Sequence, residues 1–384
     1  MSFHSPTLVD GCLPTSKTAI DQNPTLILPL TQEIELKSVS ALEWDNLASQ
    51  FKDIIPEQMA SFNLGHWGEG KVEFITFWKN STLAGGAVLI VREIPLTGSG
   101  IAILKWGPLC WLKGRDWDHE LYHALVAKLK DEICHKRNLH LTIMPSARPI
   151  EKDEREDILL ALGFKRGAGL AAPERYLVNV KEDPRSLMKN LDQKWRYNLR
   201  KALKNDFKIE IATPERGLDA FLTLYRQMMD RKQFLDASAI DALEKIMEDS
   251  PEAIKPIIVL VSHQGKITAG GVFHVAGNMA SYMFGATDDR ALKLKAGYAL
   301  HWWVAEMLCK EQSVDWYDLG GNDLDKGLHQ FKKGFVGKSG HILMAPPRYH
   351  HSSSLISNLA GYAAFQLRDV FSSFKRTVHT WTKR

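Results

Sequence analysis

The stretch GLHQFKKGFVG, residues 327–337, sets two lysines between two phenylalanines in a frame of three glycines. An ammonium group beside an aromatic side chain that excludes water can stabilise a negative charge that develops during a reaction. The same residues suit a purely structural role, either a solvated turn or a C-terminal strand that Phe331 and Phe335 pin into the core while Lys332 and Lys333 extend to solvent. These residues alone leave both interpretations open.

Two further side chains could take part in such chemistry. Asp318, in WYDLGG, ends a predicted strand beside two glycines. A carboxylate there can hold a substrate amine, act as a base or cap the following loop. Tyr282, in YMFGATDD, lies on a predicted strand and could offer its hydroxyl to an acceptor. The alternative for Tyr282 is a half-buried aromatic that only packs.

The stretch LDQKWRYNLRKALKN, residues 191–205, predicts a basic helix at the start of the second half of the chain. Apolar residues recur every four positions and predict its buried side: Leu187, Leu191, Trp195, Leu199 and Leu203. Arg196, Arg200 and Lys204 then align on a second row, where like charges repel one another. A phosphate-rich ligand would relieve this repulsion, whereas a solvated cationic face is the alternative.

The sequence shows no spacing typical of a metal site or of a serine or cysteine nucleophile. His350 and His351 lie in a predicted loop after two prolines, and adjacent residues rarely chelate one ion without further ligands. We therefore expect direct transfer between co-substrates, with no bound cofactor and no metal.

The elements that would position these residues occur twice. Residues 71–94 and 254–277 each predict a hairpin, with the tripeptide AGG at 84–86 and again at 269–271. Each hairpin is followed by a strand that ends in an aromatic residue and a glycine, then by an amphipathic helix and another strand. The repeated order predicts a duplicated α/β unit.

The linker KEDPRS, residues 181–186, separates the two series. We predict four segments: a flexible N-terminal segment at 1–30, a first unit at 31–180, a second unit at 181–345 and a helical tail at 346–384.

Four stretches, taken in order, resemble the Fem-type aminoacyl (peptidyl) transferases and related acyltransferases: KWGPLCW, LDQKWRYNLRKALKN, the pair YMFGATDD and WYDLGG, and GLHQFKKGFVG. The resemblance implies an α/β fold of two tandem GNAT-like units. It also implies transfer of an aminoacyl group from its tRNA ester, or of an acyl group from CoA, to an amine. That amine would belong to a peptidoglycan or other cell-envelope precursor. By position, Lys332 of the Phe-Lys pair would stabilise the tetrahedral oxyanion, and Lys333 is a weaker candidate.

The donor is open between these two classes. An acyl-CoA enzyme normally has an Arg or Gln ahead of a Gly-x-Gly or Gly-x-Ala that holds the pyrophosphate. Gly297 and Ala299 fit the glycine part, but Leu294 stands where the Arg or Gln belongs, which favours aminoacyl-tRNA. The alternatives are an acyl-CoA N-acyltransferase in polysaccharide or lipid modification, and a non-catalytic protein that binds an envelope precursor.

Composition bounds the location and the partners. The net charge of +4 over 384 residues is too small for a strongly basic, general nucleic-acid binder. The N-terminus lacks the pattern of a signal peptide and no apolar run reaches about 18 residues, so we expect a cytoplasmic protein.

The tail adds a second expectation, peripheral contact of residues 352–384 with the inner face of a membrane. Apolar residues gather on one helical face: Leu359, Ala363, Leu367, Val370, Phe371, Phe374, Val378 and Trp381. Basic residues lie mostly off that stripe. A helix that packs its stripe on the body of the protein is the alternative.

Overall fold

Two seven-stranded sheets form the framework of the protein. The computed structural model describes residues 33–232, 239–322 and 324–366. The predicted segment 1–30 and the tail beyond residue 366 lie outside the described residues. The α/β class and the two tandem units predicted from the sequence are confirmed.

The first sheet has the strand order β1-β2-β3-β4-β5-β14-β6. Its strands are β1 (Ile34–Ser38), β2 (Val72–Lys79), β3 (Thr82–Ile94), β4 (Ser99–Lys105), β5 (Leu139–Met144), β6 (Lys165–Arg166) and β14 (Tyr349–His351). The pair β4 and β5 is parallel, because the chain crosses over between them through a helix.

The second sheet has the order β13-β7-β12-β11-β10-β9-β8. Its strands are β7 (Glu174–Asn179), β8 (Phe207–Ile211), β9 (Ile257–His263), β10 (Lys266–Ala276), β11 (Met279–Thr287), β12 (Trp316–Asp318) and β13 (His341–Met344). Its one parallel pair in the described chain, β11 and β12, corresponds to β4 and β5.

The helices of the first half are α1 (Ala41–Ala48), α2 (Ala60–Trp67), α3 (His119–Lys130) and α4 (Arg155–Ala161). Those of the second half are α5 (Pro184–Asn190), α6 (Gln193–Ala202), α7 (Pro214–Lys232), α8 (Leu243–Asp249), α9 (Ala291–Leu294), α10 (Ala296–Glu311) and α11 (Lys326–Val336). None of the helices within the described ranges is long and apolar enough to cross a membrane.

The two hairpins agree in detail. Each turns through two residues with positive φ, Asn80 and Ser81 in the first and Gln264 and Gly265 in the second. Such turns match the right-handed twist of the strands they join. Each AGG segment lies near the start of the second hairpin strand, with a β-bulge at Ala84 in the first and at Thr268, directly before the tripeptide, in the second. The duplicated unit is therefore built twice by the same local devices.

One strand in each sheet comes from the other half of the sequence. Strand β7 precedes the linker in the chain, but it pairs with β12 and β13 in the second sheet. Strand β14 lies in the predicted tail, but it inserts between β5 and β6 in the first sheet. The predicted limits 31–180 and 181–345 follow the sequence repeat, and these two strands cross them.

Three local expectations are wrong. The basic helix with its upstream stripe is not continuous: α5 ends at Asn190, and Asp192 caps α6 by accepting a hydrogen bond from the Lys194 amide at 2.8 Å. Leu203, predicted to be buried, is 54% exposed, because the helix ends one residue before it. His350 and His351 lie in strand β14 and not in a loop, because the first sheet offers them pairing partners.

Candidate active site

The segment that carries the two lysines is a helix, α11, and not a turn or a strand. Asp325 caps its start by accepting a hydrogen bond from the Leu328 amide at 2.7 Å. Successive helix residues point about 100° apart, so the two lysines face different surroundings. Lys332 is 6% exposed, whereas Lys333 lies on the solvent side. The structure thus separates the lysine that could act on a substrate from its neighbour.

The Lys332 ammonium is held by the loop that follows β12. Its Nζ donates a hydrogen bond to the carbonyl oxygen of Leu319 at 2.5 Å and another to that of Gly321. Charge-assisted bonds of this kind are stronger than neutral ones and fix the position of the charge. The loop and the helix therefore place one cation at a defined point.

Asp318, at the end of β12, is 4% exposed, and its carboxylate accepts hydrogen bonds from two residues. Arg175 donates from Nη2 to Asp318 Oδ2 at 2.5 Å, and the Gly320 amide donates to Oδ1 at 2.8 Å. The bond from Gly320 is the loop cap that the sequence offered as one alternative. The carboxylate also lines the cavity described below.

Tyr282 lies on β11 with its ring beside Phe273, their centroids 5.5 Å apart. Its hydroxyl fills the space that a side chain on Gly285 would need: a Cβ there would come within 1.5 Å of the oxygen. Burial raises the pKa of this phenol above its ordinary value. Tyr282 is therefore a neutral hydroxyl at physiological pH.

Two glycines of this stretch, Gly334 and Gly337, have packing roles. A Cβ on Gly334 would lie 3.2 Å from the Trp195 side chain, and Gly337, with φ of +63°, ends α11 against the Asn190 carbonyl. The close approach at these glycines is between helices.

A cavity of about 550 Å³ lies between the two units and brings Tyr282, Asp318 and Lys332 to one space. Its opposite wall comes from the first half of the chain and includes Glu57, Lys105 and Trp106, with Arg175 from β7. Glu57 Oε1 lies 3.4 Å from Lys105 Nζ, and the Arg175 guanidinium lies 5.8 Å from the centre of a Trp106 ring. The cavity is lined by charges of both signs and by aromatic rings.

The sequence interpretation missed Glu57, Lys105 and Arg175. The sequence could have indicated Lys105, because it directly precedes Trp106-Gly107, the pair just after β4 that the repeat matches with Phe284-Gly285 near the end of β11. Glu57 and Arg175 carried no local signal. Arg175 enters the site only because β7 pairs in the second sheet.

A second cavity of about 460 Å³ opens beside the start of α10. Its walls include Lys295, Gly297, Tyr298 and Phe331. Phe331 packs in an aromatic group, with its ring centre 4.9 Å from that of Tyr298 and 5.8 Å from that of Trp195. The adjacent residues Phe331 and Lys332 therefore line two different cavities.

The basic row on α6, formed by Arg196, Arg200 and Lys204, contains one residue with a structural role and two exposed residues. Arg196 Nη1 donates to the carbonyl oxygens of Met188 and Lys189, so this guanidinium caps the end of α5. Arg200 and Lys204 are exposed, and neither lines the two cavities. The helix nevertheless adjoins the second cavity, because Asn198 Nδ2 lies 3.3 Å from the Tyr298 hydroxyl.

His301, on α10, lies behind the Phe-Lys pair. Its Nδ1 is 2.6 Å from the Tyr317 hydroxyl, and its ring centre is 5.5 Å from that of Phe331. Burial lowers the pKa of His301 to about 3, and the Lys332 charge acts in the same direction. The imidazole is neutral at physiological pH and adds no second positive charge beside Lys332.

The described ranges contain no group of three or more histidine, cysteine or acidic side chains placed to hold a metal ion. His350 was considered with His351 as a possible metal ligand. Its Nδ1 lies 3.0 Å from the Thr142 hydroxyl and 3.3 Å from His140 Nε2.

Comparison with known proteins identifies the fold. Residues 188–333 match the family model of the acetyltransferase (GNAT) domain. The structure of FemX is similar with a TM-score of 0.68 at 16% identity, over 85% of this chain and 99% of that chain. No curated protein sequence matches the chain significantly.

Two further structures are similar at lower scores. The C-terminal domain of a putative lysylphosphatidylglycerol synthetase from Agrobacterium fabrum has a TM-score of 0.56 at 14% identity, over 85% of this chain and 98% of that one. The structure of L-PGS from Bacillus licheniformis has a TM-score of 0.51 at 12% identity, over 84% and 96%. The resemblance identified from the four stretches is confirmed at the level of the fold.

Proposed function

We propose that this chain, which has the doubled GNAT fold of the Fem-type transferases, moves an aminoacyl group from its tRNA ester to an amine on a cell-envelope precursor. The observation that carries the proposal is the position of α11. Phe331 lines the cavity beside α10, and Lys332, the next residue, lines the cavity between the units. A donor in one cavity and an acceptor in the other would meet at this pair of residues.

The reaction needs a positive charge at this position. The acceptor amine attacks the ester carbonyl carbon, a C–N bond forms, and the carbonyl oxygen becomes an oxyanion. The C–O bond to the ribose then breaks, and the leaving hydroxyl takes the proton that the amine loses. One preorganised donor at an oxyanion contributes about 3 kcal/mol in other enzymes. In this proposal Lys332 supplies it, with Phe331 and the neutral His301 limiting water and competing charge.

The cavity beside α10 is the proposed donor site. Gly297 has open space where a Cβ would lie, and Lys295 adds a positive charge at the start of a 16-residue helix. Leu294 provides no guanidinium or amide side chain for a CoA pyrophosphate, and its backbone carbonyl accepts a hydrogen bond from Asn205 at 2.9 Å. This chemistry favours aminoacyl-tRNA over acyl-CoA.

The cavity between the units is the proposed acceptor site. Lys105 and Arg175 suit the phosphate or carboxylate groups of a precursor, and Glu57 and Asp318 suit its amine. Tyr282 adds a neutral hydroxyl to the lining of the same cavity. A volume of about 550 Å³ is in the range of small-ligand sites.

One assay distinguishes this proposal from its alternatives. The purified chain is incubated with charged tRNA or acetyl-CoA and a set of amine-bearing envelope precursors, and products are followed by mass spectrometry. We expect an aminoacyl mass increment with charged tRNA. An acetyl increment would instead identify an acyl-CoA N-acyltransferase. Precursor binding without any transfer would identify a non-catalytic binding protein.

A further inference from the structure

The start of the C-terminal tail is a helix with two unlike faces. Residues 355–366 are helical. The inner face packs on the first unit: Ser357 is fully buried, Ala360 is 7% exposed, and a Cβ on Gly361 would meet the His140 ring at 2.2 Å. The ring of Phe365 lies 5.0 Å from that of His350, centre to centre. The inner face therefore makes the contacts that hold the helix against the body of the protein.

The outer face is apolar and lies in solvent. Leu355 is 82% exposed, Ile356 53%, Leu359 67% and Tyr362 65%. At 100° per residue, Leu355, Leu359 and Tyr362 fall within about 60° of one another, with Ile356 at their edge. Scattered apolar side chains on a surface are normal, whereas four on one helical face mark an interaction site.

The following sequence indicates what covers this face. Residues 367–384, which lie outside the described residues, contain five basic residues and one acidic residue. Exposed apolar and aromatic side chains next to a stretch rich in basic residues are typical of a segment that lies on an anionic membrane interface.

We propose that the outer face of this helix docks on an anionic lipid surface, with the basic residues of the sequence that follows it supplying complementary charge. Packing on the body does not account for the face, because the inner face makes that contact. A second copy is disfavoured because it would bring two cationic tails together, whereas anionic lipid complements their charge. The proposal concerns attachment and does not depend on which group the chain transfers.

Co-sedimentation of the full-length protein with vesicles tests the proposal. Vesicles of phosphatidylcholine with one quarter phosphatidylglycerol are compared with pure phosphatidylcholine. We expect binding to the anionic vesicles and about tenfold weaker partitioning for the double variant Leu355→Glu, Leu359→Glu. Leu42→Glu is the matched control, because Leu42 is 66% exposed on α1, in another part of the surface.

The second part of the vesicle experiment tests the contribution of charge. Lys375→Glu with Arg376→Glu should also weaken binding, and raised salt should weaken binding of the wild type. Equal, negligible pelleting of the wild type and the Leu355, Leu359 variant would overturn the proposal. So would a dimer in light scattering that the leucine substitutions dissociate, because a second copy would then cover the face. The thermal unfolding of the variants checks that the substitutions leave the fold intact.

Discussion

Arg175 Nη2 lies 2.5 Å from Asp318 Oδ2, which joins the first half of the sequence to the candidate active site of the second. The two residues lie on the neighbouring strands β7 and β12. The Asp318 side chain is 5% exposed and that of Arg175 is 26% exposed. The carboxylate that ends β12 is therefore positioned by a residue from before the linker.

We predict that Asp318→Asn lowers both stability and turnover. The substitution removes the negative charge that faces Arg175 while it keeps the size of the side chain. We expect the free energy of unfolding to fall by about 2 kcal/mol, below the range for fully buried pairs because Arg175 is partly exposed. Urea unfolding measures the change. Asp249→Asn, in the more exposed pair with Lys245, is the control and should cost less than about 0.5 kcal/mol. Lost turnover at unchanged stability would instead indicate a direct catalytic role.

The second prediction separates the adjacent lysines. Lys332→Ala should lower kcat by about two orders of magnitude, because a developing oxyanion loses its partner. Lys333→Ala should change kcat less than about twofold, because Lys333 lies on the solvent side of α11. The transfer assay with charged tRNA, followed by mass spectrometry, gives both values.

A loss of fold has to be distinguished from a loss of catalysis in Lys332→Ala, because Lys332 also holds the loop at Leu319. Lys332→Met keeps the apolar stem and removes the charge, and circular dichroism checks the fold of both variants. Equal small effects at the two lysines would return the pair to a structural role.

The third prediction concerns the basic row on α6. Binding of charged tRNA should weaken as salt rises, and Arg200→Ala should reduce the slope of log Kd against log salt by about 0.7, the value for one phosphate contact with a single strand. Lys266→Ala, at the exposed hairpin turn, is the charge-matched control. Arg196→Ala should lower thermal stability, because this residue caps α5. An affinity that does not change with salt would exclude phosphate binding by the row.

The fourth prediction is a pH dependence of stability. Burial lowers the pKa of His274 to about 4 and that of His301 to about 3, from an ordinary value near 6.5. At these two sites the unfolded chain therefore binds more protons than the folded chain as pH falls below 6.5, and their contribution to stability decreases with pH. Each histidine should reduce the free energy of unfolding by about 2 kcal/mol between pH 7 and pH 5.

The variant His301→Gln tests the source of this effect. Glutamine can keep a hydrogen bond to Tyr317 but does not titrate. Urea unfolding at pH 5 and pH 7 should show a smaller difference in the variant than in the wild type. The same difference in both proteins would show that His301 does not contribute.

Local patterns in the sequence predicted the elements that depend on local chemistry. The hairpins were predictable because turn residues and alternating strands repeat with the AGG tripeptide. Tyr282, Asp318 and Lys332 were candidates because each lies in one of the Fem-type motifs, and one cavity brings them together. Their roles in a reaction remain predictions.

The parts that depend on distant contacts were not predictable in the same way. The break between α5 and α6 comes from the Asp192 cap. The four-residue apolar repeat continues through this cap, so the repeat alone predicted one helix. Arg175 appears in an ordinary strand sequence, and only its place beside β12 makes it part of the site. Glu57 and Lys105 form an ion pair although they lie far apart in the sequence, so no local pattern predicts this contact.

The reciprocal placement of β7 and β14 has a consequence for how the molecule is assembled. If the chain were cut at the linker, each half would contain one strand that belongs to the other sheet and would lack one strand of its own sheet. Neither piece could then complete its sheet. The second half cannot deliver β14 until its own C-terminal segment has been synthesised. We therefore expect the two halves to melt in a single transition, and ribosome-bound chains that stop before residue 349 to remain incomplete in the half that was made first.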